Sequence, residues 1–135
     1  MVKKKRSTIK KRLWKVISEY IRRKHADDNG YVSCVTCGIT KHWKEMQAGH
    51  FIPQAQGDAC RYIEENIHPQ DYRCNINLGG NGPEYNAYML EMYGQEKIDE
   101  LRRLSKTTVK LSISDLEELE AEYNALLNNL DDWEL

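Results

Sequence analysis

Cys34-Val35-Thr36-Cys37-Gly38 is the segment from which the fold of this chain can be worked out. Two thiolates three residues apart can hold one metal ion, and the glycine lets the backbone turn beneath it. Residues 30–33 and 38–41 on either side have the composition of a β-hairpin. A C-x-x-C pair could also be a thiol–disulfide motif, but that motif requires a helix that begins at its first cysteine. The flanks therefore favour a zinc knuckle.

Length and composition limit the class of protein. The 135 residues allow one compact domain and exclude a barrel enzyme or a two-domain dehydrogenase. No run of about 18 apolar residues could span a membrane, and no apolar segment near the start resembles a signal peptide. We therefore expect a cytoplasmic protein with no membrane partner, in which four cysteines are more useful as metal ligands than as disulfides.

The formal net charge of -1 conceals a strong separation of charge along the chain. Residues 1–25 hold eleven of the 20 lysines and arginines and a single acid, so they carry +10, whereas residues 26–135 carry -11. Such asymmetry is typical of a segment that binds a polyanion. The alternative is a lysine-rich terminus that is merely solvated.

The spacing of apolar residues predicts the helices. From Thr8 to about Ala26 they recur every three or four positions, which indicates an amphipathic helix with a basic opposite face. Two helices at 84–92 and 95–104 are separated by Gly94. Ser114-Asp115-Leu116-Glu117 has the pattern of a capping box that opens a helix to about Leu130, and its apolar stripe would pack on the core or on a second subunit.

The middle of the chain, residues 30–82, has short strand-like pieces at 31–34 and 47–52 and few large aliphatic side chains. A structural metal would therefore have to replace part of the missing core. Gln47-Ala48-Gly49-His50-Phe51-Ile52-Pro53 ends a strand-like piece with a histidine. Asn66-Ile67-His68-Pro69-Gln70-Asp71-Tyr72-Arg73-Cys74-Asn75 follows. The order of knuckle, histidine, asparagine and Cys-Asn resembles that of HNH nucleases with a zinc-braced ββα-metal motif.

In that layout the structural zinc would be bound by Cys34, Cys37, Asp71 and Cys74. Asp71 stands where most such proteins have a cysteine, and a carboxylate oxygen is a legitimate zinc ligand. Cys60 or His68 could replace it, although the three-residue spacing to Cys74 favours Asp71. Cys60 is expected to be a small, partly buried side chain without a ligand role.

Residues 31–130 resemble the phage NinG (Rap) recombination endonucleases, with which they share C-x-x-C-G, A-G-H-F, N-I-H-x-Q, C-N and G-N…Y, the last being Gly80-Asn81 and Tyr85. The knuckle order is also similar to that of the phage endonuclease VII resolvases, in which an aspartate precedes the histidine. The resemblance implies a structure-specific endonuclease, encoded by a phage or prophage, that cleaves branched recombination intermediates such as Holliday junctions and D-loops.

The fold implied is α+β, with a basic helix at 1–29, a zinc-braced HNH core at 30–93 and a helical region at 94–135. Because junction resolution requires two symmetric cuts, a homodimer is expected, with the last helix as a candidate interface.

The implied chemistry is metal-dependent phosphodiester hydrolysis. His50 would act as the general base, while Mg²⁺ or Mn²⁺ neutralises charge on the phosphate. Asn75 would offer its carbonyl oxygen to this metal, and Asn66 would orient His50 by hydrogen bonding. Gly49 departs from the HNH pattern, which usually has an acidic metal ligand before the histidine.

The missing catalytic-metal ligand could come from His68, Asn81 or Glu84, and the resemblance favours His68 or Asn81. The basic helix would contact DNA phosphates in a sequence-independent way. Its expected DNA-binding residues are Lys3, Lys4, Lys5, Arg6, Lys10, Lys11, Arg12, Lys15, Arg22 and Arg23. The rival hypothesis is a non-catalytic zinc-finger module that binds DNA or another protein, in which His50 only packs.

Overall fold

The computed structural model describes the backbone of residues 2–53 and 58–132 and the side chains of residues 5–53 and 58–131. The described part contains helices and short strands, which confirms a mixed α+β fold. The helices are α1 (Val2–Lys24), α2 (Gly82–Tyr93), α3 (Gln95–Ser105) and α4 (Ile113–Asp132). The strands are β1 (Tyr31–Ser33), β2 (Thr40–His42), β3 (Gln47–His50) and β4 (Ile67–Gln70).

The strands form two antiparallel pairs. β1 pairs with β2, with Tyr31 opposite His42, so the C-x-x-C segment is the turn of the predicted hairpin. β3 pairs with β4, with Gly49 opposite His68. Both strands of the sequence prediction are shorter in the structure, because the chain leaves the β1 ladder at Cys34 and the β3 ladder after His50.

Helix α1 packs along α4 and forms the largest core cluster. Ile9, Leu13 and Ile17 of α1 are buried together with Leu116 and Tyr123 of α4. The predicted apolar stripe of the last helix therefore packs on the core, which removes it as the candidate dimer interface; the dimer itself stays a prediction. The two helices run in the same direction, since Arg12 pairs with Glu120 and Arg23 with Asp131.

Three helix starts differ from the sequence prediction, and one of them is that of α2, which begins at Gly82 rather than at Glu84. Helix α1 includes residues before Thr8, because lysine and arginine favour helix even where no apolar periodicity is present. Helix α4 is capped by Ser112 rather than Ser114. The Ser112 hydroxyl accepts from the Asp115 amide, and the Asp115 carboxylate accepts from the Ser112 amide, both at 3.0 Å. The chain thus holds two overlapping capping patterns, and the earlier one is used.

Helices α2 and α3 meet at Gly94, as predicted, where a φ of 88° stops the first helix. Their inner faces bury Tyr85, Met89, Ile98 and Leu101 against the loop that contains Ile52 and Cys60. A third, small cluster surrounds the knuckle. No helix in the described ranges is long and apolar enough to cross a bilayer.

Candidate functional site

The two turns that follow β1 and β4 bring four metal-ligating side chains together. The ligand atoms of Cys34, Cys37, Asp71 and Cys74 all lie within 4.8 Å of one another. The Gly38 amide donates to the Cys34 carbonyl at 2.9 Å, and Gly38 takes a φ of 82°, which closes the first turn. The Asp71 carboxylate accepts from the Cys74 amide at 3.3 Å, which closes the second.

This donor set is suited to zinc, which accepts three sulfurs and one carboxylate oxygen in a closed structural site. Burial would raise the pKa of Asp71, but hydrogen bonds from Cys74, Cys34 and Cys37 hold it below its usual value, so the carboxylate is in its ligand form. The prediction that Asp71 lies with the three cysteines, at the position of a fourth ligand, is therefore confirmed. Cys60 is elsewhere, and its thiol donates to the Leu101 carbonyl at 3.1 Å.

His50 lies at the end of β3 with its ring held on two sides. Nε2 is 2.8 Å from the Arg61 carbonyl oxygen, which can only accept, so Nε2 carries the proton and the basic lone pair is on Nδ1. The imidazole stacks on Trp14 of α1, with centroids 4.9 Å apart and 21° between the planes. Burial lowers the pKa of His50, so the ring is neutral at neutral pH.

Asn66 does not hydrogen-bond to His50 directly, which corrects the predicted mode of orientation. Its buried side chain accepts from the Ile52 amide at 2.8 Å and donates to the carbonyls of Ile52 and Cys60 at 3.2 and 3.0 Å. Cys60 immediately precedes Arg61. Asn66 therefore links Ile52 to Cys60, the residue before Arg61, and the group that orients His50 is the Arg61 carbonyl, which no side-chain motif could reveal.

Asn75 lies in a π-helical turn after β4, at residues Arg73–Asn77, a distortion often found at functional sites. Its Nδ2 donates to Gln47 Oε1 at 2.7 Å, which turns its own carbonyl oxygen toward Gly49. His50 and Asn75 line one cleft of about 510 Å³. The structure thus brings these two predicted site residues together.

His68 is not in this cleft, which counts against its tentative assignment as a catalytic-metal ligand. The Tyr85 hydroxyl donates to the Gly49 carbonyl at 2.8 Å, so it accepts from His68 Nδ1 at 3.0 Å. His68 Nε2 accepts from the Tyr93 hydroxyl at 2.7 Å. Both ring nitrogens are thus occupied, and burial lowers the pKa of His68 to about 3. The ring is a neutral structural link between β4 and α2.

The other two candidates for the missing ligand are also displaced. Asn81 caps α2 in a left-handed conformation, with a φ of 52°, and its Nδ2 is 3.6 Å from the Cys74 sulfur, beside the cluster of metal-ligating side chains. Glu84 is exposed in the first turn of α2. Neither residue lines the cleft that contains His50 and Asn75.

Much of the basic charge of α1 is matched within the fold. Arg6 and Lys10 both pair with Asp58 at 3.3 Å, Arg12 pairs with Glu120 at 2.8 Å, and Arg23 pairs with Glu19 at 3.2 Å and with Asp131. Arg22 donates to the Trp43 carbonyl at 3.0 Å. Lys5, Lys11 and Lys15 are exposed and have no ion pair within the described part of the chain. The side chains of Lys3 and Lys4 lie outside the described residues.

A basic groove lies beside the His50 cleft. It has a volume of about 470 Å³, and Trp14 forms part of both the groove and the cleft. The groove is lined by Arg6, Ser7, Lys10, Lys11, Trp14, Arg61 and Tyr62. Arg61 has a part in both places: its side chain lines the groove, and its backbone carbonyl oxygen holds the imidazole of His50.

Comparison with known proteins adds the family. The family model described as bacteriophage lambda NinG protein matches residues 1–134. The chain belongs to the NinG family. No curated protein and no solved structure gives a significant match. The resemblance predicted from the motifs is thus confirmed at the level of a phage family related to recombination.

The NinG match extends beyond the two knuckles. It includes α1 and α4, so the basic groove and the cluster of metal-ligating side chains belong to one family-sized unit rather than to a core with added segments. Sequence reasoning missed the Trp14 stack and the Arg61 carbonyl in this NinG-family site. Trp14 gave a weak signal, because an aromatic residue between basic residues of a helix is as easily explained by packing.

Proposed function

We propose that this NinG-family chain is an endonuclease that hydrolyses phosphodiesters of branched DNA with the help of a divalent metal ion. One observation carries the proposal: a cleft that contains a neutral imidazole and an amide oxygen adjoins a groove lined by cations. The groove suits a phosphate backbone, and the cleft suits the activation of water. The family's relation to recombination supports branched intermediates, such as Holliday junctions and D-loops, as substrates.

His50 is the proposed general base. The imidazole takes a proton from a water molecule as the water oxygen attacks phosphorus, and the P–O bond to the leaving oxygen breaks. The leaving oxygen then takes a proton from solvent water, and His50 returns its proton to solvent. The Arg61 carbonyl stabilises the imidazolium through Nε2–H, and the Trp14 ring keeps the imidazole in one plane. The lowered pKa of His50 keeps the base unprotonated before the reaction.

Asn75 is the proposed holder of the catalytic metal, because its carbonyl oxygen is the kind of donor that Mg²⁺ and Mn²⁺ prefer. When bound, such an ion neutralises charge that develops on the phosphate and on the leaving oxygen. Cys34, Cys37, Asp71 and Cys74 would hold a structural zinc ion, which would brace the turn that precedes Asn75.

Phosphate contacts are assigned to the groove rather than to the whole helix. Lys11 is exposed there, while Arg6 and Lys10 share Asp58 and keep partial access to the groove. These contacts carry no sequence information, as expected of an enzyme that recognises the shape of a branch. Two cuts across a junction require two active sites, so a homodimer acting in the bacterial host belongs to the proposal.

The test is a cleavage panel of a four-way junction, a D-loop and a linear duplex, each with Mg²⁺, Mn²⁺ or EDTA. Wild type should cut the branched substrates only with metal, and His50→Ala should lose about 10²–10⁴-fold in rate, the usual contribution of a general base. His42→Ala is the matched control, because His42 contacts Tyr31 and Trp43 and lines neither the cleft nor the groove.

Zinc content must be equal in all three proteins, so that a loss of rate is not a loss of fold. Equal cleavage by wild type and His50→Ala would refute the base assignment. Binding of junctions without cleavage of any substrate would instead favour the non-catalytic zinc-finger module.

A further inference from the structure

Gln70, at the end of β4, has a buried side-chain amide whose nitrogen is hydrogen-bonded and whose oxygen is not. The side chain is fully buried, and its Nε2 donates to Thr36 Oγ1 at 3.1 Å and to the Gly80 carbonyl at 2.9 Å. Its Oε1 is buried and accepts no hydrogen bond from any described residue. Buried amide oxygens in folded proteins nearly always have a partner, so this oxygen calls for an occupant.

The orientation of the amide follows from its neighbours. The Gly80 carbonyl can only accept a hydrogen bond, so the nitrogen of Gln70 must face it. A flipped amide would set one oxygen against another. Oε1 therefore points away from Gly80.

That oxygen points at Gly49. A Cβ atom built on Gly49 would be 1.8 Å from Gln70 Oε1 and 3.0 Å from Asn75 Oδ1, which places the two oxygens within about 5 Å of each other. In the β3–β4 ladder Gln70 is opposite Gln47 and is thus the diagonal neighbour of Gly49, on the same face of the sheet. A carboxylate side chain at position 49 and the present Gln70 could not occupy this space together.

We propose that Gln70 Oε1 binds the catalytic divalent cation together with Asn75 Oδ1, and that Gln70 supplies from β4 the ligand that an acid at position 49 would have supplied from β3. This assignment rests on the proposed function for the role of the metal. Both donors are hard, neutral oxygens on fixed amides, and Asn75 is tethered by Gln47 as Gln70 is by Gly80. Gln70 is buried behind Gly49 and does not itself line the cleft, so Asn75, which does, would connect an ion held by the two oxygens to the cleft.

Manganese binding to the full-length, zinc-loaded protein without DNA tests this assignment by the loss of the free Mn²⁺ electron paramagnetic resonance signal. Gln70→Ala should weaken Mn²⁺ binding by at least about tenfold, the effect expected of one lost ligand. Gly49→Asp alone should lower the melting temperature, because its Cβ meets Oε1. The double variant Gly49→Asp/Gln70→Ala removes that clash, presents a carboxylate and should recover wild-type affinity or exceed it.

Zinc content and the circular dichroism melting curve establish that each variant is folded. If Gln70→Ala does not fold, ¹³C NMR of wild type with Mg²⁺ replaces it. The side-chain carbonyl resonances of Gln70 and Asn75 should then shift on titration, while that of the exposed Asn124 on α4 stays in place.

A folded Gln70→Ala with Mn²⁺ affinity within twofold of wild type, an unshifted Gln70 resonance, or no recovery by a folded double variant would overturn the assignment. The proposed function fails separately. If the protein binds Mn²⁺ through Gln70 but cuts no DNA, the assignment of Gln70 as a metal ligand stands and the proposed nuclease function fails. If wild type cuts DNA and Gln70→Ala still binds Mn²⁺ normally, the nuclease function stands and the assignment of Gln70 fails.

Discussion

The imidazole of His50 lies almost parallel to the indole of Trp14, with ring centroids 4.9 Å apart, so the proposed base of β3 rests on the basic helix α1. The N-terminal helix therefore supports the proposed base directly, in addition to its proposed role as a surface for DNA. Trp14 also lines both the basic groove and the cleft, so the two adjoin at this residue.

Replacement of Trp14 by alanine should impair cleavage more than DNA binding. Loss of the stack frees the His50 ring to rotate, and exposure to water should raise its lowered pKa toward the usual value. We expect roughly a tenfold loss of rate, because stacked aromatic pairs contribute about 0.5–1.5 kcal/mol. An NMR titration of His50 and junction cleavage kinetics measure both effects. Trp43→Ala, outside the cleft, should leave the His50 titration unchanged, and equal effects of the two variants would contradict the prediction.

Substitutions should show that the proposed zinc site depends on Asp71 and does not depend on Cys60. A four-ligand zinc site is worth roughly 10–16 kcal/mol, so Asp71→Ala should weaken zinc binding by about a hundredfold and lower the melting temperature. Asp71→Cys should retain zinc. Cys60→Ser is the control, because a serine hydroxyl can also donate to the Leu101 carbonyl. Competition with a colorimetric chelator gives the affinities, and loss of zinc from Cys60→Ser would show that the ligand set is wrong.

Stability should depend on pH through His68. The pKa of His68 is lowered from 6.5 to about 3 by burial and by nearby His25 and Lys24, so the unfolded chain binds more protons than the folded chain between these values. The contribution of His68 is therefore fully present above pH 6.5 and is lost progressively as the pH falls toward 3.

Urea unfolding at several pH values checks this linkage. The free energy of unfolding of His68→Phe should fall less steeply below pH 6.5 than that of wild type. Parallel curves for wild type and His68→Phe would show that other groups carry the acid sensitivity.

The groove predicts which cations bind phosphate. Lys11→Ala should weaken junction binding and reduce the slope of log affinity against log salt concentration by about 1, because it removes one phosphate contact. Arg12→Ala should change the slope less, since Arg12 already pairs with Glu120. Fluorescence anisotropy at several salt concentrations makes the comparison. Point changes are preferable to removal of residues 1–12, because Ile9 is part of the buried core. Equal slopes for wild type and Lys11→Ala would show that the groove is not where DNA phosphates bind.

Local spacing was sufficient to predict the features that depend on near neighbours. The knuckle, its hairpin and the position of Asp71 beside the three cysteines follow from residues three positions apart, and the stop at Gly94 follows from one residue. Features that depend on contacts between residues far apart in the chain could not be predicted from the sequence. The acceptor for His50 is a backbone carbonyl eleven positions away, and the pairing of α1 with α4 consumes charges that looked available for DNA.

Gly49 shows why a departure from a motif is difficult to interpret from sequence alone. Because glycine has no side chain, the sequence indicated that a metal ligand was missing at this position. The residues expected to supply that ligand, His68, Asn81 or Glu84, were chosen from the sequence pattern. The ladder instead places Gln70 in that space, and a diagonal relation between two strands cannot be seen before the register is known.

The parallel pairing of α1 and α4 also bears on how the protein forms. Arg12 and Glu120 are 108 positions apart, and at a synthesis rate of roughly 5–20 residues per second the ribosome needs on the order of ten seconds to make the intervening chain. During that time the apolar face of the first helix has no α4 to cover it. Docking of α4 on α1 is therefore a late step in the folding of this unit, because it must follow synthesis of residues 113–132, well after α1 and the strand that carries His50 have been made.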